Sequence, residues 1–105
     1  MTSHEFKELA LSFPGTVANP HFDRTAFKVE GKRIFTTLHE TSQSINVKLS
    51  PEDQSVFCEY DKAIVYPVPN KWGQQGWTTF ELTKVPRELV LDALDTAYKE
   101  VFKKK

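Results

Sequence analysis

At 105 residues with 39% hydrophobic and 12% aromatic content, the chain holds enough apolar material for one packed domain and too much for a disordered one. Fourteen basic residues balance fourteen acidic ones, which argues against a polyelectrolyte such as a wholly basic DNA-coating protein. A single cysteine, Cys58, excludes an intrachain disulfide and a CxxC metal knuckle, and no stretch reads as a signal peptide or membrane span, so a soluble cytoplasmic protein is expected.

In chain order, Thr2 and Glu5 have capping-box spacing, and Phe6, Leu9, Ala10 and Phe13 recur at helical intervals until Pro14-Gly15. Residues 16–23 lack periodicity and contain Asn19-Pro20, so they read as a loop carrying His21 and Asp23. Phe27 and Val29 alternate before the Glu30-Gly31 turn, Ile34 and Leu38 after it, and Ile45, Val47 and Leu49 continue the pattern, giving three consecutive antiparallel strands. Ser50-Pro51-Glu52-Asp53 starts a second helix expected to reach about Tyr60. A fourth strand over 63–66 enters the stretch YPVPNKWGQQGWTTFEL, in which Pro67 and Pro69 remove backbone donors and Gly73 and Gly76 permit unusual backbone. This loop carries Trp72 and Trp77, each able to bury on the order of 200 Å², and delivers a fifth strand over 77–82. Pro86 then opens a final helix with an apolar stripe through Leu89, Val90, Ala93, Leu94, Ala97, Tyr98 and Val101.

This order predicts a single α+β domain over 1–105: a two-layer sandwich with a mostly antiparallel sheet of about five strands and helices on one face. Charge is segregated along it. Residues 24–49 hold five bases against two acids, whereas 50–61 hold four acids and no base. With Phe27, Val29, Ile34, Leu38, Ile45, Val47, Phe80 and Leu82 pointing at the helices, parity assigns Lys28, Arg33, Phe35, Asn46, Lys48, Trp77 and Thr79 to the uncovered face. The expected surface therefore interleaves cations with aromatic rings.

Phe13-Pro14-Gly15, AFKVEGKRIFTTL, NVKLSPE and above all VPNKWGQQGWTTFEL resemble the YjbR/MmcQ-like family. That resemblance spans nearly the whole chain. It implies a small bacterial domain with a CyaY-like (frataxin-like) α/β fold often labelled DNA-binding, and it adds Lys48, Lys71 and Trp72 as candidate ligand contacts. The expected function is a non-enzymatic module that binds nucleic acid, DNA first, through Lys28, Arg33, Lys48, Lys71, Trp72 and Trp77, with about four to six phosphate contacts. The alternative is a protein- or small-molecule-binding module, or a weak homodimer, using the same aromatic face. A plainer reading makes these lysines a solvated face that discourages edge aggregation and the two indoles structural pins.

No cofactor, metal or catalytic group is assigned from the sequence. His4 with Glu8, and His21 with Asp23, each offer two ligands but no third. Cys58, beside Phe57 and among acids, has the setting of an inert thiol. His39, Glu40, Ser42 and Ser44 lie close in sequence without a nucleophile elbow. The terminal Lys103, Lys104 and Lys105 suit the negative end of the last helix dipole.

Overall fold

The computed structural model describes residues 1–103; Lys104 and Lys105 of the basic tail lie outside the described residues. The chain begins with the anticipated capping box: Thr2 Oγ1 accepts from the Glu5 N–H at 3.1 Å and the Glu5 carboxylate accepts from the Thr2 N–H at 2.9 Å. These bonds favour the carboxylate, and they draw the Glu5 pKa below its ordinary value. Helix α1 (Ser3–Leu11) buries Phe6, Leu9 and Ala10.

Past Gly15 the chain does not enter a loop. It forms β1 (Thr16–His21), antiparallel to β2 (Arg24–Val29) from Thr16 opposite Val29 to His21 opposite Arg24. β1 is an edge strand, so Pro20 is tolerated without an N–H, and four of its six side chains are exposed. An exposed edge shows no alternation, which is why its sequence resembles a loop. Then follow β3 (Ile34–His39), β4 (Ser44–Lys48), α2 (Pro51–Cys58), β5 (Val65–Pro67), the short α3 (Lys71–Gln74), β6 (Trp77–Glu81) and α4 (Arg87–Val101). The sheet has six strands in the order β1-β2-β3-β4-β6-β5, each pair of neighbours antiparallel.

Helices α1, α2 and α4 cover one face. Phe6 of α1 meets Phe27 edge-on with centroids 5.6 Å apart, Phe57 of α2 meets Phe80 at 6.0 Å, and Tyr98 of α4 meets Phe35 at 5.8 Å. Val90, Ala93, Leu94 and Ala97 seat α4, as the stripe predicts. Two face assignments are reversed, that of Phe35 from the uncovered face and that of Ile34 from the inner one. Between Phe27/Lys28 and the opposing Thr36/Ile34 the register slips by one residue, leaving Phe35 as the extra member of a β-bulge. Phe35 turns to the helix side and is fully buried against Phe13 and Tyr98, while Ile34 is left half-buried opposite Lys28, outside the core. Strict parity fails at this point because it assumes an unbroken pleat.

Candidate nucleic-acid interface

Among the described residues none of α1, α2 and α4 packs on the other face. Register places Arg24, Ala26 and Lys28 of β2, Thr37 of β3, Asn46 and Lys48 of β4, and Trp77, Thr79 and Glu81 of β6 there. Its centre is small and polar, and two hydrogen bonds cross it. Thr79 Oγ1 donates to Asn46 Oδ1 at 2.8 Å, and Arg24 Nε donates to Thr37 Oγ1 at 2.8 Å. Thr37 and Thr79 are only 7% and 9% exposed although no helix lies over them, so the longer flanking side chains shelter a shallow trough. At the β5 side, Tyr66 donates a short hydrogen bond to the Glu81 carboxylate; that bond first, then burial and the carboxylate charge, push the phenol up to about 12.

The loop between β5 and β6 has a fixed shape. Val68 N–H donates to Trp77 O at 3.0 Å, and Asn70, with φ +89°, accepts from the Trp72 N–H at 2.9 Å to start α3. A Cβ at Gly73 would lie 1.8 Å from Val68 O, and one at Gly76, where φ is +107°, 1.7 Å from Leu49 O. Only glycine allows these approaches. Gln54 of α2 clamps the loop from below, Nε2 donating to Gly73 O at 2.9 Å and to Trp77 O at 3.1 Å. Trp77 is half-buried as a wall of the trough, whereas Trp72 stands 58% exposed. The two indoles thus differ: one is wedged in place and the other is presented.

The six residues singled out from sequence are brought only partly together. Lys28 emerges on the open face, and Lys71 is exposed at the start of α3. Lys48, at the end of β4, donates from Nζ to Gln75 O at 2.7 Å, tying the strand to the Trp loop. Arg33 departs from expectation. It precedes β3, and its Nη2 reaches toward Glu100 O at 3.4 Å, so it caps the end of α4 instead of joining the face. Arg33, Ile34, Lys48 and Trp77 surround a cavity of about 380 Å³ between this end of the sheet and the end of α4.

A second pocket, of about 220 Å³, lies on the open face. Trp72, Trp77 and Val68 wall it toward β5 and β6, His21 and Arg24 toward β1 and β2, and Thr37 and Asn46 form its floor. Sequence reading missed Arg24 here, counting it only as charge. Burial lowers its pKa against the opposing influence of Asp23, and its Nη2 is shut off from solvent without an acceptor. Phe22 was also missed. In the two-residue turn between β1 and β2 it has φ +60° and is 95% exposed, with its ring against His21 at 5.0 Å. A bulky residue held at positive φ in water is a local cost that packing does not offset. The presence of an aromatic residue at a turn tip was the available signal.

The candidate metal pairs stay apart. His4 and Glu8 meet at 3.6 Å on the surface, and His21 and Asp23 have different partners. Among the described residues no group of three or more His, Cys, Asp and Glu is placed to hold a metal. Asp23 Oδ2 instead accepts from His39 Nε2 at 3.1 Å, while His39 Nδ1 meets Ser42 Oγ at 2.7 Å and accepts the Ser42 N–H at 3.2 Å. Acid, imidazole and hydroxyl are a nucleophilic set by composition. The Ser42 N–H fixes Nδ1 as an acceptor, the Asp23 side chain is 75% exposed, and the three residues tie the β3–β4 turn to the β1–β2 turn. The Cys58 thiol is raised by burial, as its setting implies.

A six-stranded antiparallel sheet, bare on one side and closed by a Trp loop, defines a class of small α+β domains, and the comparisons name it. The chain belongs to the YjbR family, whose model matches residues 11–100. Among solved structures it is similar to the Deinococcus radiodurans protein DR2400, which carries the DUF419 domain, with 22% identity over 98% of this chain and 80% of that one and a TM-score of 0.84. It is also similar to a Pseudomonas syringae protein, with 13% identity over 96% and 99% of the two chains and a TM-score of 0.75. At these identities the likeness concerns the fold. No curated protein matches the chain. No helix among the described residues is long and apolar enough to cross a membrane.

Proposed function

We propose that this protein is a non-enzymatic binding module whose uncovered sheet face takes single-stranded nucleic acid. The observation that carries the reading is the exposed indole of Trp72, held by a rigid loop beside Trp77 on the face from which Arg24, Lys28 and Lys48 emerge. Every nucleobase has a π-face, so an indole platform is sequence-tolerant and cations along it track the backbone. The His21–Phe22 pair places further aromatic surface at the opposite rim of the pocket. Such a trough accepts splayed bases and not a rigid duplex, whose bases are stacked away inside.

The test is anisotropy of labelled single-stranded and duplex DNA at two salt concentrations. With Arg24, Lys28, Lys48 and Lys71 as contacts, single-strand affinity should fall roughly 50-fold between 50 and 200 mM salt. Replacing Lys28 and Lys71 together by Gln should flatten that dependence. An absence of binding at low salt, or binding indifferent to these substitutions and to Trp72→Ala, overturns the proposal.

A further inference from the structure

The pocket facing Arg24 has a chemistry narrower than that of the surrounding face. Its walls toward β5 and β6 are two indoles and a valine; its wall toward β1 and its floor bear donors. Asn46 uses Oδ1 to accept from Thr79, which fixes the amide orientation and leaves Nδ2 to donate. Arg24 spends Nε on Thr37, and its solvent-shielded Nη2 has no acceptor among the described residues. Burial disfavours this half-buried guanidinium, and Asp23, the charge that acts against that penalty, is shared with His39. The volume of about 220 Å³ is equivalent to roughly seven waters, room for one ring and its charged group.

From this we infer that the pocket is a mononucleotide subsite: one pyrimidine stacks on Trp72 and Trp77, its ring carbonyl accepts from Asn46 Nδ2, and its phosphate lies against the Arg24 guanidinium. The inference rests on the nucleic-acid reading of the face and adds to it a place where a single unit is gripped. The guanidinium always carries its positive charge, so it attracts phosphate electrostatically even with Nε committed to Thr37. The Thr79–Asn46 and Arg24–Thr37 bonds hold the floor side chains in place, so a flat ring that accepts from Asn46 Nδ2 replaces the hydrogen bond of any water it displaces.

Titrating the full chain with thymidine 5′-monophosphate, thymidine and inorganic phosphate, while following indole fluorescence, tests this without any variant. The monophosphate should bind at least tenfold more tightly than the nucleoside, and phosphate alone should leave the indoles unchanged. Arg24→Gln should bring the affinity for the monophosphate down to that for the nucleoside measured on the same variant. Equal affinity for nucleoside and monophosphate overturns the subsite, as does an advantage that survives Arg24→Gln. Oligonucleotide binding without a response to the monophosphate refutes the subsite and keeps the function; the opposite result keeps the subsite and refutes the function; silence toward both refutes the two together.

Discussion

The two faces of the sheet are built from the same strands and obey opposite rules. On the helix side Phe27, Leu38, Ile45, Val47 and Phe80 are fully buried and interlock with three helices through edge-on aromatic pairs. On the bare side the opposing positions hold Thr37, Asn46 and Thr79, short side chains bonded to one another or to Arg24, with cations and indoles around them. The helix side holds the fold together by excluding water. On the bare side Thr79 bonds Asn46 and Arg24 bonds Thr37 across the centre, and the longer cationic and aromatic side chains stand around them.

If that division is right, substitutions on the helix side and beneath the loop should cost stability, and those at the rim should cost binding. The largest effect is expected at Gly76→Ala, where the added methyl meets the Leu49 carbonyl at 1.7 Å in a backbone with φ +107°; a loss on the order of 4 kcal/mol or more should show as a collapsed denaturant midpoint. Next is Phe35→Ala, which empties the place made by the bulge: about 3–5 kcal/mol in urea unfolding. A loss below about 1 kcal/mol would mean that Phe35 does not belong to the core.

Trp72→Ala should leave the melting temperature within a few degrees of the parent, since the ring is 58% exposed, and should weaken single-strand binding by about 1–3 kcal/mol. A large drop in melting temperature instead would make Trp72 a pin like Trp77 and erase the contrast between the indoles. The smallest effect concerns Tyr66. Its folded-state pKa of about 12 lies above the ordinary value near 10, so its bond to Glu81 stabilises the fold fully below about pH 10 and is lost as the pH rises toward 12. Partial exposure keeps the energy small. Ultraviolet titration should find one of the three tyrosines ionising last, and Tyr66→Phe should remove that late step.

Much of the molecule was legible beforehand because local chemistry dictated it. The caps at Thr2 and Ser50, the stripe of α4 and the alternation of β4 each satisfied a rule that operates over a few residues. What failed was non-local. β1 was hidden because an edge strand needs no alternation, and the places of Phe35 and Ile34 were exchanged because one slipped register reverses parity. Of the site, Lys28, Lys48 and Trp77 lay where parity put them, but Arg33 was drawn to the end of α4 by the carbonyl of Glu100. Arg24 stood unnoticed because its significance depends on neighbours from β3 and on a loop more than forty positions away.

By itself, then, the sequence determined most of the elements, the family and the presence of a shaped tryptophan loop, though not β1 or α3, because caps, periodicity and glycine–proline punctuation act within a turn or two of chain. Only the tertiary structure decided which rings are buried, which indole stands exposed and which guanidinium is half-buried. Burial and charge compensation are sums over neighbours from distant strands, and no short window of residues contains them.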